Sequence, residues 1–189
     1  MKKLYEYGGI AASVILIVFG TGTVVAGLAG HSQVRTELAR EQIVGTPDMT
    51  GVANQKVDTG GEARDFAKGM RKHTLEATGG KTYAQMPRFL GKNGEPSNDE
   101  KLAATNPKSG APVDNPARQI WVTETALTTA LNTAYFAESV AVFAIVMGFA
   151  LLLVGVGFLV LTLIALRRPT TATVPEPRWS AARAATTVG

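Results

Sequence analysis

The chain has 189 residues, which is enough for one domain of ordinary size. It contains no cysteine, which excludes disulfides, thiol catalysis and cysteine-based zinc or iron–sulfur sites. Its net charge of +4 comes from the two ends, where six basic residues stand against two acidic ones, whereas residues 31–138 carry thirteen of each. The basic excess therefore flanks the apolar segments, and we expect no nucleic-acid partner.

The first apolar segment covers residues 8–30 and follows a short basic start at Lys2 and Lys3. A signal peptide has the same positive start, but its apolar part usually has only ~7–15 residues. We therefore favour an uncleaved transmembrane helix, preceded by a cytoplasmic N terminus at residues 1–7. Small residues at 3,4 spacing form one face of this helix: Ser13, Leu16, Gly20, Thr23, Gly27, Gly30 and Val34.

Residues 31–136 are predicted to form a small helical insertion outside the membrane. The first helix is expected to continue towards Val44, and residues 46–61 are rich in Gly, Thr, Asn and Pro, which is typical of a loop. Residues 62–78 carry apolar side chains at helical spacing and are followed by Gly79-Gly80, so they predict a helix.

The rest of the insertion has weaker signals. A short helix is predicted around residues 82–90, with a break or helix start at Pro87. Residues 91–115 contain many Gly and Pro residues and predict a long loop, with at most a short helix near residues 99–104. Since the insertion has few large apolar residues, we expect it to pack onto the outer ends of the two long helices.

The longest predicted helix covers residues 115–168. Asn115 is a favoured N-cap residue, and Pro116 fits the first helical position. The apolar run at residues 137–166 exceeds the ~20 residues that a transmembrane helix needs. Its only charge is Glu138, at the outer edge, which we expect to reach lipid headgroups; contact with a partner is the alternative.

One face of this helix repeats with the 3,4 spacing of a heptad and is made of small residues in its middle. We expect this face to dock on the glycine-bearing face of the first span, with Gly20 and Gly27, as an antiparallel hairpin. Contact with another membrane protein is the competing use. The face contains Ile120, Thr123, Leu127, Ala130, Ala134, Ala137, Ala141, Ala144, Gly148, Leu151, Gly155 and Phe158.

Basic residues near the ends of the spans predict the orientation. Four arginines follow the second span and one precedes it at a distance, so both termini should be cytoplasmic in the plasma membrane. Residues 167–189 are rich in Thr, Ala and Pro and are predicted to be a disordered cytoplasmic tail. The predicted fold class is an all-α membrane protein, with an antiparallel transmembrane helix pair and a small helical extracytoplasmic insertion.

The sequence motifs that could indicate nucleotide binding, metal binding or transport are weak matches. Gly80-Lys81-Thr82 matches the end of a phosphate-binding loop, but that pattern needs glycine where the chain has Leu75. His73 and Glu76 share a helix face, yet two ligands do not make a metal site. Neither span carries an ionisable residue in its middle, which argues against a pump or carrier. We therefore predict no enzyme, no cofactor and no metal.

Several strings resemble an uncharacterised family of small two-span membrane proteins of actinobacteria. They are residues 43–49 (IVGTPDM), 73–83 (HTLEATGGKTY), 115–118 (NPAR) and 121–127 (WVTETAL). The resemblance covers nearly the whole chain except the tail, and it implies the same two-span architecture. Members often carry the automated description aromatic ring-opening dioxygenase, which implies an iron held by two histidines and a carboxylate.

Two functional hypotheses follow from these observations. The first is a non-enzymatic accessory or scaffold subunit of a cell-envelope complex, because the small-residue faces favour a membrane-protein partner or a homo-oligomer in the bilayer. The second is an extracytoplasmic binding module for a lipid, a cell-wall fragment or a small ligand. The surface expected to contact a ligand or partner consists of Phe66, Arg71, His73, Tyr83 and Phe89.

Overall fold

The computed structural model describes residues 2–167, with side chains from residue 7 onwards. The described part is mostly helical, and its two long apolar helices pack together. Short 3₁₀ turns occur at Tyr83–Gln85 and Glu100–Leu102. The other elements are α1 (Lys2–Arg40), α2 (Gly60–Ala77), β1 (Phe89–Leu90), β2 (Pro96–Ser97) and α3 (Pro116–Arg167).

Helices α1 and α3 form an antiparallel pair. Gly9 lies beside Thr162 near one end of the pair, whereas Gly27 lies beside Ala141 further along it. The two helices are the candidate membrane spans, since both are long and apolar enough to cross a bilayer. The predicted helical hairpin is therefore present, and the predicted tail after Arg167 lies outside the described residues.

The predicted helix starts agree with the observed capping contacts. The side-chain oxygen of Asn115 accepts a hydrogen bond from the Ala117 N–H at 3.1 Å, and α3 begins at Pro116. Helix α2 begins two residues before the predicted Glu62, because Thr59 and Glu62 form a reciprocal capping box. It ends before Gly79 and Gly80, which both have positive φ angles.

The predicted short helix at residues 82–90 is wrong. Only Tyr83–Gln85 form a 3₁₀ turn, and the chain is extended at Met86, as the residue before a proline prefers. β1 then pairs antiparallel with β2, which lies inside the stretch predicted as loop. Helix α1 ends at Arg40, short of the predicted Val44.

The insertion packs onto the ends of α1 and α3 between which it lies in the chain, as expected. Val52 and Val57, from the loop before α2, are fully buried. They join a cluster with Leu38 of α1, Ala63 and Ala67 of α2, and Leu131 of α3. The apolar core of the described residues therefore lies where α2 and its preceding loop meet the hairpin.

Candidate functional site

A groove of about 990 Å³ lies between α1, α2 and α3 at the outer end of the hairpin. We call it the outer groove. Its walls are mainly apolar, because the faces of the three helices that meet here carry aliphatic, aromatic and methionine side chains. These side chains include Val34, Leu38, Met49, Phe66, Met70 and Leu131.

The core behind the groove holds its walls in place. Leu38, Met49 and Leu131 belong to the buried cluster, and Val34, Phe66 and Met70 pack against it while remaining partly exposed. Methionine is flexible and polarizable, so the half-buried Met70 can adapt to the shape of an apolar occupant. The groove therefore combines a fixed floor with adjustable side walls.

Three ionisable side chains line the outer groove. Glu37 belongs to α1, Glu41 follows the end of α1, and His73 belongs to α2. The imidazole Nε2 of His73 is hydrogen-bonded to the Asp48 carboxylate, and this bond, together with one from the Thr46 hydroxyl, holds the pKa of Asp48 well below its usual range. The contact fastens the loop that carries Met49 to α2.

Glu138 of α3 contacts both α1 and α2, at the N-terminal end of α2. Its Oε2 accepts a hydrogen bond of 2.7 Å from the Gly60 N–H, and its Oε1 lies 3.3 Å from Nε2 of His31. Its side chain is only 14% exposed. The expectation that Glu138 reaches headgroups is wrong, because the N terminus of α2 supplies an unpaired N–H that attracts the carboxylate.

The far end of α2 is held by a second side chain of α3. The indole N–H of Trp121 donates to the Lys81 carbonyl at 2.9 Å and to the Thr78 hydroxyl at 3.2 Å. The guanidinium of Arg71 lies over the Trp121 ring, 5.2 Å from its centre. Helix α2 is therefore attached to α3 at both ends, and the outer groove lies beside its middle.

The predicted small-residue faces divide between contact and exposure. Ala141, Gly148, Gly155, Gly20 and Gly27 are buried where α1 and α3 touch, and Ala134, Ala137 and Ala144 are half-buried. Ala130 is exposed and lines the outer groove instead of a helix contact. At the position of Ala130 along α3, the insertion packs against the two helices. The 3,4 spacing of small residues on α3 therefore continues beyond the region where α1 and α3 touch.

The five residues of the predicted ligand surface do not form one surface. Phe66 and His73 line the outer groove together. Arg71 lies over Trp121, and Tyr83 lies under the guanidinium of Arg118. Phe89 is buried within β1, and the guanidinium of Arg88 lies over its ring, 4.9 Å from the centre.

Several groove residues were missed by the sequence patterns. Met49 lies in a Gly- and Pro-rich loop, where side-chain periodicity does not exist. Met70 was recognised as part of the apolar face of α2, but nothing indicated that it borders a cavity. Leu131 lies next to Ala130 on α3, one position from the small-residue face, so its 3,4 relation to Leu127 and Ala134 was the available signal.

The histidines of the chain are engaged separately. His31 contacts Glu138, and His73 contacts Asp48. Within the described part of the chain, no three His, Asp or Glu side chains converge on a point where a metal ion would fit. These pairs do not form the two-histidine, one-carboxylate set that a ring-opening dioxygenase uses.

Comparison of the chain with protein-family models, with curated proteins and with solved structures finds no match. The resemblance to two-span proteins of actinobacteria therefore stays a prediction. The contacts, burial and charge of the chain itself are the basis for assigning a function.

Proposed function

We propose that the protein is a non-enzymatic, two-span protein of the plasma membrane whose extracytoplasmic part binds an apolar ligand in the outer groove. In this proposal residues 8–30 and 137–166 cross the bilayer, residues 31–136 lie outside, and both termini are cytoplasmic. The observation that carries the binding function is the outer groove itself.

The outward faces of the hairpin support the membrane location. They expose a broad surface of large apolar side chains, which soluble proteins rarely do. No Lys, Arg, Asp or Glu occurs in residues 7–30 or 139–166. Hydrocarbon is the solvent that favours such a surface. The exposed side chains include Ile15, Val18, Phe19, Phe136, Phe143 and Leu153.

The size and chemistry of the outer groove support the binding of a small apolar molecule. Its volume of about 990 Å³ lies within the range of ~300–1,000 Å³ that ligand pockets occupy. Its ionisable lining residues are Glu37, Glu41 and His73, and the remaining lining is mainly apolar. His73 is already bonded to Asp48, so the site favours binding over general acid–base chemistry.

Thiol protection tests this function, because the chain has no cysteine of its own. Ala130→Cys places a thiol in the outer groove, and Ala126→Cys places one on an exposed part of α3 outside it. Decanol and N-phenylnaphthylamine, two neutral apolar probes, should slow maleimide labelling of Ala130→Cys and leave Ala126→Cys unchanged. Equal labelling rates at Ala130→Cys with and without the probes would overturn the function.

The proposed orientation has its own test. Ser109 is exposed in the insertion, and Lys3 precedes the first span. An impermeant maleimide applied to intact cells should label Ser109→Cys and should label Lys3→Cys only after lysis. The reverse pattern would contradict the orientation without affecting the groove.

A second groove favours the role of an accessory subunit. It has a volume of about 540 Å³ and lies between the apolar spans; we call it the span groove. Its small residues include Gly22, Ala26 and Ala144, which allow another helix to approach closely. Gly22→Leu, where an added Cβ meets nothing within 4 Å, should therefore abolish co-purification of a partner without disturbing the fold.

The matched control for Gly22→Leu is Gly157→Leu, which is equally open but lies outside the span groove. A stoichiometric membrane protein retained by the native chain and by Gly157→Leu, but lost from Gly22→Leu, would establish the accessory role. Retention of the same partner by all three proteins would exclude the span groove as its binding surface.

A further inference from the structure

The outer groove and the span groove adjoin each other, because Gly30 of α1 and Ala137 of α3 line both of them. The side chains of these two residues are a hydrogen and a methyl group, and a Cβ added at Gly30 would meet only the Ala141 Cβ, at 3.6 Å. An apolar chain that follows a path along the hairpin from the spans into the outer groove would therefore meet little side-chain bulk at this junction.

The side chains along this path remain uncharged over a considerable length. Among the groove-lining residues of α1, the first ionisable side chain is Glu37, seven residues beyond Gly30. Seven residues of α-helix correspond to about 10 Å. His31 and Glu138 lie near the junction but do not line the outer groove, because they contact each other and the N terminus of α2.

We propose that the occupant of the outer groove is an acyl chain of a bilayer lipid, which enters sideways from the outer leaflet between Gly30 and Ala137. This inference rests on the proposed membrane location and deepens the proposed binding function. The groove-lining residues of α1 extend from Gly30 to Leu38, or about 12 Å along the helix. Bound in this way, the acyl chain contacts Val34, Leu131 and Phe66 instead of neighbouring lipids.

Burial explains why a lipid chain would leave its neighbours. A chain raised out of the leaflet without a groove would expose its methylenes to water, which is unfavourable for each of them. Between Gly30 and Glu37 the walls of the outer groove, which are mainly apolar, replace the hydrocarbon contacts. The flexible side chain of Met70, which is half-buried, can close around the acyl chain.

Photolabelling of the full chain in lipid nanodiscs tests the inference. The nanodiscs would contain phosphatidylglycerol and phosphatidylethanolamine, with a small fraction of phosphatidylglycerol carrying a diazirine near the end of one acyl chain. Label on Phe143 and Leu153 is expected in any case, because these side chains face outward from the spans. Label on Phe66 and Met70 of α2 is diagnostic, because both line the outer groove above the proposed bilayer.

Ala130→Trp is designed to block the outer groove, and Ala126→Trp is its matched control. Both alanines are exposed on α3, but only Ala130 lines the outer groove. The indole should displace about two methylenes from the wall, so labelling of α2 should fall at least about tenfold in Ala130→Trp. It should stay unchanged in Ala126→Trp, and labelling of Phe143 should stay unchanged in both.

The other outcomes separate this inference from the proposed function. If decanol protects Ala130→Cys but the lipid does not label α2, the outer groove binds apolar molecules and the lipid inference is wrong. If α2 is labelled only by a free fatty acid that carries the same diazirine, the source is not the bilayer, and the inference also fails. Label on α2 that persists in Ala130→Trp would show contact at the surface of α2 and would overturn it.

Discussion

Helices α1 and α3 meet in two different ways along their length. Near the middle of the apolar spans they touch through backbone: a Cβ added at Gly20 would lie 2.8 Å from the Gly148 carbonyl oxygen, and one added at Gly148 would lie 2.8 Å from that of Gly20. At the outer end the same helices present Leu38 and Leu131, and both side chains pack with the insertion.

Side-chain size, more than the seven-residue period of the buried positions, determines what lies between the two helices. Buried and half-buried positions on α1 recur every seven residues in both regions, at Ser13, Gly20, Gly27 and Val34. Where the position is glycine, the helices approach to backbone contact, which suits a surrounding solvent without a hydrophobic driving force. Where the side chains become aliphatic, a third element fills the space and the outer groove forms beside it.

The largest effect is expected from Gly148→Leu. The new side chain meets backbone atoms of Gly20 and Val24, which cannot move aside as a flexible side chain can. Overpacking of this kind should lower the free energy of unfolding by about 3 kcal/mol. Unfolding by increasing SDS in mixed micelles, followed by tryptophan fluorescence, measures the loss.

Gly157→Leu is the control for that substitution. It makes the same change on the same helix, but an added Cβ at Gly157 meets nothing within 4 Å. Its stability should stay within about 0.5 kcal/mol of the native value. Equal losses from both variants would contradict this interpretation, because they would show that the added side chain lowers stability wherever it is placed, independent of close approach between α1 and α3.

Glu138→Ala should have the next largest effect, at the boundary between the two regions. It leaves the Gly60 N–H without its carboxylate acceptor and removes the contact with His31. The expected loss is about 2 kcal/mol, the scale of a hydrogen bond to a charged group. Hydrogen exchange should accelerate at residues 60–63 and stay unchanged around Gly148.

Glu138→Gln keeps an acceptor oxygen and should lose less than Glu138→Ala. If both variants lose the same stability, the carbonyl dipole of the side chain contributes nothing to docking α2. Faster exchange at Gly148 in either variant would show that the outer and inner regions unfold as one unit, which would remove the distinction between them.

Much of the helical architecture was predictable because its signals are local. Asn115-Pro116 combines a capping side chain with a residue suited to the first helical turn, and α3 begins there. The apolar face of α2 and the pair Gly79-Gly80 gave its extent, although the capping role of Thr59 was missed. The glycine-bearing faces of both long helices predicted their mutual contact, since small residues in an apolar helix favour close packing.

The outer groove was not predictable because it depends on distances between elements. The 3,4 spacing through Ala130 continues past the last helix contact, so period alone does not show where α1 and α3 stop touching. Val52 and Val57 are buried from a loop, where no periodicity marks a core position. The strands Phe89–Leu90 and Pro96–Ser97 are two residues each, too short for an alternating pattern.

Trp121→Phe tests how the C-terminal end of α2 is attached to α3. Phenylalanine keeps a ring in the buried site and under Arg71, but it removes the N–H that bonds to Lys81 and Thr78. The free energy of unfolding should fall by about 1 kcal/mol. Exchange should accelerate at residues 74–77 and not at residues 60–63; acceleration at both ends would mean that α2 detaches as a whole.

The smallest effect is expected from lowering the pH, which acts on the Asp48 carboxylate in the insertion. The hydrogen bond from His73 lowers the pKa of Asp48, so the carboxylate stabilises the folded state above the ordinary aspartate pKa of about 4 and loses this contribution as the pH falls below it. Thr46 and Lys72, the latter 3.8 Å away, also face the carboxylate. The native chain should therefore melt at a higher temperature than Asp48→Asn at pH 7, and the difference should shrink between pH 4 and pH 2. A difference that stays constant with pH would mean that Asp48 acts through its shape and not its charge.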